Sequence, residues 1–131
     1  MRFMMTVVLL GCCLSAGVAT AGVSRSEAGP GPAGIAVGES VFAARAKLRK
    51  NAWQPTRRHM GDGYEYSGAE LQLTRRKIFE VDVCSSDSAR CILFYAKKGA
   101  CLRVDTIGEQ FAEMTVTRLA NECPASPPPT K

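Results

Sequence analysis

The sequence predicts an α+β domain: two N-terminal helices packed on a three- to four-stranded antiparallel sheet, held by two disulfides. Three observations predict it. Apolar residues recur at helical spacing up to Ile78, and from Phe79 the period changes to two. The period-two segments are joined by short polar or glycine-bearing links, which pair sequential strands antiparallel. Four cysteines, Cys84, Cys91, Cys101 and Cys123, fall among those strands. An even number of cysteines in a small exported domain implies paired disulfides.

Export is read from the first 21 residues. Met1-Arg2 is a short positive start, Phe3 to Leu10 is apolar, and Ala19-Thr20-Ala21 is a small-residue cleavage site. The apolar run is too short for a membrane span, which needs about 20 consecutive apolar residues. Cleavage after Ala21 makes Gly22 the mature N-terminus and the location periplasmic or secreted. The alternative is Leu9-Leu10-Gly11-Cys12 as a lipobox, with Cys12 lipidated and the product an outer-membrane lipoprotein. The chain then divides into a signal peptide at 1–21, a disordered linker at 22–38, the α+β domain at 39–123 and a disordered Pro-rich tail at 124–131. The linker is Gly-, Ala-, Pro- and Ser-rich, with little to bury.

Within the domain, Ser40 caps a first helix whose Val41, Ala44 and Leu48 share one face. Lys47, Arg49 and Lys50 suit its C-terminal end, and Asn51 tolerates the left-handed conformation that ends helices. Trp53 folds back on that helix as a core anchor, and Pro55 holds the residue before it extended. Thr56 to Tyr66 is a polar loop containing Gly61-Asp62-Gly63. Ser67-Gly68-Ala69-Glu70 is a capping box opening a second helix from about Gly68 to Arg76. The strands follow. Phe79, Val81 and Val83 alternate with Glu80 and Asp82 as a half-buried strand, and alternation reads Asp82 and Asp105 as solvent-facing. Cys91 to Ala96 is apolar on both faces, Lys97-Lys98-Gly99 is a hairpin loop, and Leu102, Val104 and Thr106 alternate with Arg103 and Asp105. Gly108-Glu109-Gln110 breaks the run before a final strand or short helix at Met114 to Leu119, where the β-branched residues favour strand.

That strand order also pairs the cysteines. The turn-rich link from Ser85 to Arg90 sets Cys84 at the end of one strand and Cys91 at the start of its neighbour. Cys101 opens the next strand and Cys123 closes the ordered region, so the expected bridges are Cys84–Cys91 and Cys101–Cys123. A domain this small is marginal on its core alone, and disulfides of roughly 2–4 kcal/mol each are a sufficient reason for these cysteines.

The formal net charge is +5, of which one, Arg2, belongs to the leader. The basic residues stand in small clusters that suit a solvated face, or an anionic envelope surface or acidic partner. No nucleic-acid fold signature is present. His59 is the single histidine, in a polar loop beside Arg57-Arg58, and reads as a solvated side chain. A triad of Ser85 or Ser86, His59 and Asp87 can be drawn on paper, but no nucleophile-elbow sequence supports it. The cysteines lack C-x-x-C spacing, which argues against zinc or thioredoxin-like chemistry. The sequence thus offers no catalytic, cofactor-binding or metal residue. The one candidate interaction patch is Arg57, Arg58, Tyr64 and Tyr66.

Phe42, Arg45, Leu48 and Trp53-x-Pro55, then Glu80-Val81-x-x-Cys84-Ser85, Cys91-x-x-Phe94, Leu102-x-Val104-x-Thr106-x-Gly108-Glu109 and Cys123, form a pattern spanning most of residues 40–123. It resembles small exported disulfide-containing hypothetical proteins of proteobacteria, a group that implies no particular activity. Asn51-Ala52 stands where that group tends to place a helix-ending glycine. The element order is also similar to β-lactamase-inhibitory-protein-like and outer-membrane-assembly lipoprotein domains, a likeness of topology that does not fix function. The expectation is a non-catalytic interaction or envelope-associated module with an unknown protein partner or an anionic envelope surface. The alternatives are a lipid-anchored assembly factor and a small hydrolytic enzyme.

Overall fold

In the computed structural model, which describes residues 31–126, helix α1 (Val41–Lys50) starts where the side chain of Ser40 accepts a hydrogen bond from the Ala43 amide. Its Val41, Ala44 and Leu48 are buried. The helix ends without glycine. Asn51 keeps negative φ and its side-chain amide donates to the Lys47 carbonyl, while Ala52 takes the left-handed conformation at φ 63°. The signal peptide at 1–21 with Cys12, residues 22–30 of the expected linker and residues 127–131 of the expected tail lie outside the described residues.

Among the described residues five strands form the sheet, more than the three or four expected, and the helices are not both N-terminal to it. The added strand, β1 (Gln54–Pro55), lies between α1 and α2 (Gly68–Thr74) and pairs with the far end of the central strand. Pro55 drives its neighbour into extended geometry, and a proline is tolerated because this is a sheet edge. Then come β2 (Val81–Cys84), β3 (Arg90–Lys97), β4 (Ala100–Ile107) and β5 (Thr115–Ala120). The strands run antiparallel in the order β1-β3-β4-β5, and β2 takes the same edge of β3 as β1. Lys98 and Gly99 both have positive φ, which is the two-residue hairpin turn that matches strand twist. Gly108 is required twice over. Its φ is 138°, and a Cβ there would sit 2.9 Å from the Met114 Cα. The core joins α1 to Leu73, Ile78, Val81, Leu93, Tyr95, Leu102, Val104, Met114 and Val116, with Trp53 half-buried against it.

Order begins well before residue 39. Ile35 is fully buried in the core, and Gly38 and Glu39 exchange backbone hydrogen bonds with Val116. Residues 31–38, part of the stretch expected as a linker, are thus docked on the domain through Ile35 and these backbone bonds. Order also continues past residue 123. Cys123 is bonded to Cys101, Glu122 to Arg103, and the Ala125 carbonyl accepts from Arg58. Arg58, which holds this segment at Ala125, has its guanidinium 5.7 Å from the ring centroid of Phe94, a residue only 5% exposed.

Alternation fails in β2. A bulge between Val81 and Val83 shifts the register, so Val81 is buried and Val83 is 43% exposed. Glu80, which strict alternation would turn to the open face, is drawn inward. It is buried and accepts hydrogen bonds from the Tyr95 hydroxyl (2.8 Å) and Arg45 Nε (2.6 Å). Burial, reinforced by the Glu80 charge, holds the Tyr95 hydroxyl well above the ordinary phenol range. Asp82 and Asp105 do face outward, but as ion-paired groups with Arg58 and with Arg103 and Arg118.

Candidate functional site

The expected interaction patch lies in the segment from Thr56 to Ser67, which has no regular secondary structure and is nevertheless pinned from several sides. At its start Thr56 N–H donates to the Phe94 carbonyl. Arg58 does not join an exposed patch. Its Nε donates to Asp82 Oδ1 at 2.7 Å, its Nη2 to the Ala125 carbonyl at 3.1 Å, and its guanidinium lies 5.7 Å from the Phe94 ring centroid. Arg57 stays exposed, with its guanidinium 4.3 Å above the Phe79 ring.

His59 is a wedge, contrary to the solvated side chain expected. Nδ1 lies 2.7 Å from Asp62 Oδ2, and Nε2 lies 2.6 Å from the Asp82 carbonyl oxygen. Its ring stacks on Tyr64, with centroids 3.7 Å apart, and meets Tyr66 edge-on at 5.8 Å. Asp62 closes the small turn by also accepting from the Tyr64 amide.

Glu70 ties this loop to the rest of the fold. The capping box predicts its bond to the Ser67 amide, and that bond is present. The same buried carboxylate also accepts from the Tyr64 hydroxyl and the Cys84 amide, both at 2.8 Å. Burial, and then the hydrogen bond to Glu70, push the Tyr64 hydroxyl up to about 12. Burial also raises Tyr66, against the pull of Arg57. The Tyr66 hydroxyl is buried without a hydrogen-bond partner among the described residues.

What the pinned loop shows to solvent includes Arg57, Met60 at 71% exposure, one side of Tyr64, and the acidic Asp62 and Glu65. Of the four expected patch residues, Tyr64 and Tyr66 come together and Arg57 flanks them, while Arg58 serves the sheet. Met60, Glu70, Asp62 and Asp82 were not read as part of it. The capping box was the one sequence signal pointing at Glu70.

The cysteines pair as Cys84–Cys91, with Cα atoms 4.0 Å apart, and Cys101–Cys123, with Cα atoms 4.9 Å apart. The paper triad is not assembled. Both His59 nitrogens face Asp62 and Asp82, and Ser85 Oγ bonds Ser88 Oγ at 2.6 Å. Ser85 and Ser86 instead line an open cleft of about 400 Å³ with Ser67, Gln72, Glu109 and Gln110, to which His59 does not contribute. Among the described residues no three His, Cys, Asp or Glu side chains are grouped to hold a metal ion. No helix among them is long and apolar enough to cross a membrane.

No family model matches the chain, and neither does any curated protein or solved structure.

Proposed function

We propose that this is an exported, non-catalytic interaction module that recognises a protein partner through the 56–67 loop. One observation carries the reading. An irregular loop is held by part-buried polar anchors while it presents Arg57, Met60 and Tyr64 outward. Exposed aromatic, Met and Arg side chains are enriched at interfaces. A loop ordered before binding loses little conformational entropy on binding. The two disulfides suit an oxidising compartment outside the cytosol. A second reading, docking on an anionic envelope surface, is favoured by Arg49, Lys50, Lys97 and Lys98. None of these has an ion-pair partner among the described residues, and β1 brings the end of α1 beside the β3–β4 turn.

One experiment separates the two readings. The exported protein is cross-linked in envelope extracts and, separately, sedimented with vesicles containing anionic phospholipid. Recognition by the loop predicts a discrete cross-linked partner that is lost with Arg57→Ala/Met60→Ala and kept with Lys97→Glu/Lys98→Glu. Loss confined to the lysine variant, together with vesicle binding, would replace the loop reading with the surface one.

A further inference from the structure

We infer that His59 is a protonation-controlled latch on the recognition loop: as imidazolium it clamps residues 56–66 to β2, and loss of its proton releases the clamp. The biological use of the latch rests on the loop being the recognition surface. The latch itself is a property of the free protein.

The geometry carries the inference. Both ring nitrogens face acceptors at hydrogen-bond distance, the Asp62 carboxylate at 2.7 Å and the Asp82 carbonyl at 2.6 Å. A backbone carbonyl can only accept, and an ionised carboxylate can only accept. Two acceptors call for two N–H donors, and only the imidazolium has both. A neutral ring in either tautomer turns a lone pair toward one of the two oxygens. The clamp then loses one bond and gains a repulsion.

The position of the clamp gives that loss a consequence. β2 has β3 on one side and, among the described residues, no strand on the other. Its open edge is closed by side chains instead, with His59 on the Asp82 carbonyl and Glu70 on the Cys84 amide. His59, beside the Arg58–Asp82 ion pair, is therefore a contact that joins the loop to the sheet. Its other face lies on Tyr64, whose ring carries the negative face of an aromatic quadrupole and so favours a positive neighbour.

Every charged or titratable group facing His59 can be placed. The loop contributes Asp62, Tyr64 and Tyr66; Arg57 acts from beside Tyr66; and β2 contributes Asp82, whose carboxylate is neutralised by Arg58. Helix α2 contributes Glu70, through the Tyr64 hydroxyl. Burial works against the charged ring, but the bonds to the Asp82 carbonyl and to Asp62 outweigh it and raise the His59 pKa above its ordinary 6.5. The His59 bond, with help from the Tyr64 amide, holds Asp62 below its ordinary 3.8.

The signs follow by linkage. A raised histidine pKa means that the latch is fully engaged below 6.5 and is lost as pH rises through the folded value. A lowered aspartate pKa means that the Asp62 half is engaged above 3.8 and is lost as pH falls through its own folded value. The loop is thus held most firmly in mildly acidic medium between these limits.

His59 is the chain's only histidine, so its titration can be read in the unmodified protein. The test is an NMR titration of the imidazole carbons in the full exported chain. Amide protection factors for Tyr64, and for Leu102 in β4 as reference, are followed over the same pH range. The expected midpoint lies above 6.5. Tyr64 protection should fall by about tenfold for each unit of that excess as the ring deprotonates, while Leu102 protection stays flat. His59→Gln, which has a single donor group and no titration, should show low Tyr64 protection at every pH. A midpoint at or below 6.5, or Tyr64 protection that ignores the His59 titration, would overturn the latch. Failure to capture a partner through the loop leaves these signals untouched, so the two readings fail independently.

Discussion

The β3–β4 hairpin and the 56–67 loop are both ordered, for opposite reasons. The hairpin is built from neighbours in sequence. Its register runs from Lys97↔Ala100 at the turn to Arg90↔Ile107, with Leu93, Tyr95, Leu102 and Val104 sharing the inward face. The loop has no ladder, and polar side chains hold it to elements far along the chain. His59 reaches Asp82 across 23 positions, and Arg58 reaches Ala125 across 67. Order that comes from apolar packing and backbone pairing is insensitive to a proton. Order that comes from a few charged anchors depends on each of them. The difference teaches where this molecule can be adjusted without being unfolded.

The largest expected effect is on the hairpin side. Leu102 is fully buried, so Leu102→Ala should cost about 2–5 kcal/mol in denaturant unfolding and lower the stability of all regions together. If the hairpin amides lost protection and the rest of the sheet kept it, the hairpin would be a separable unit and the comparison would need redrawing.

A smaller, more local effect is expected at the loop's anchor. Glu70→Gln keeps the shape but replaces one acceptor oxygen with a donor. One of Tyr64 hydroxyl, Ser67 N–H or Cys84 N–H must then go unpaired. The cost should be about 1–3 kcal/mol, with hydrogen exchange raised first across 62–67 and at Cys84. A global loss of protection with no early loop opening would show that Glu70 serves the core rather than the loop.

The smallest effect separates the disulfides. Cys101–Cys123 closes a sequence separation of 22 and Cys84–Cys91 one of 7. In the chain-entropy account, replacing the first pair with alanine should destabilise by about 1 kcal/mol more than replacing the second. It should also free the segment that Arg58 and Arg103 hold at Ala125 and Glu122, read as NMR chemical-shift changes and increased backbone mobility at 121–125. Equal or reversed losses would mean that native-state packing at the buried Cys91 outweighs loop closure.

Local rules made much of the fold legible in the sequence. Ser40 and the Ser67–Glu70 box start their helices, the face Val41, Ala44 and Leu48 is buried, and Lys98-Gly99 turns the hairpin. The strand order placed Cys84 opposite Cys91. Each of these follows from residues within one turn or one strand of each other, where spacing alone decides which groups can meet. Tertiary structure decided the rest. The bulge at β2 reversed Val83, the Arg45–Glu80–Tyr95 group buried an acid that alternation sends to solvent, and Ile35 and Ala125 drew both ends into the domain. The candidate site belongs to this second class. Arg58, His59 and Glu70 are polar residues whose sequence neighbours say nothing of where they point, because their partners, Asp82, Ala125 and Cys84, become neighbours only when the sheet is assembled. A polar side chain removed from water must find a specific partner, whereas an apolar one needs only a dry face. That is why the core was readable from the sequence and the loop was not.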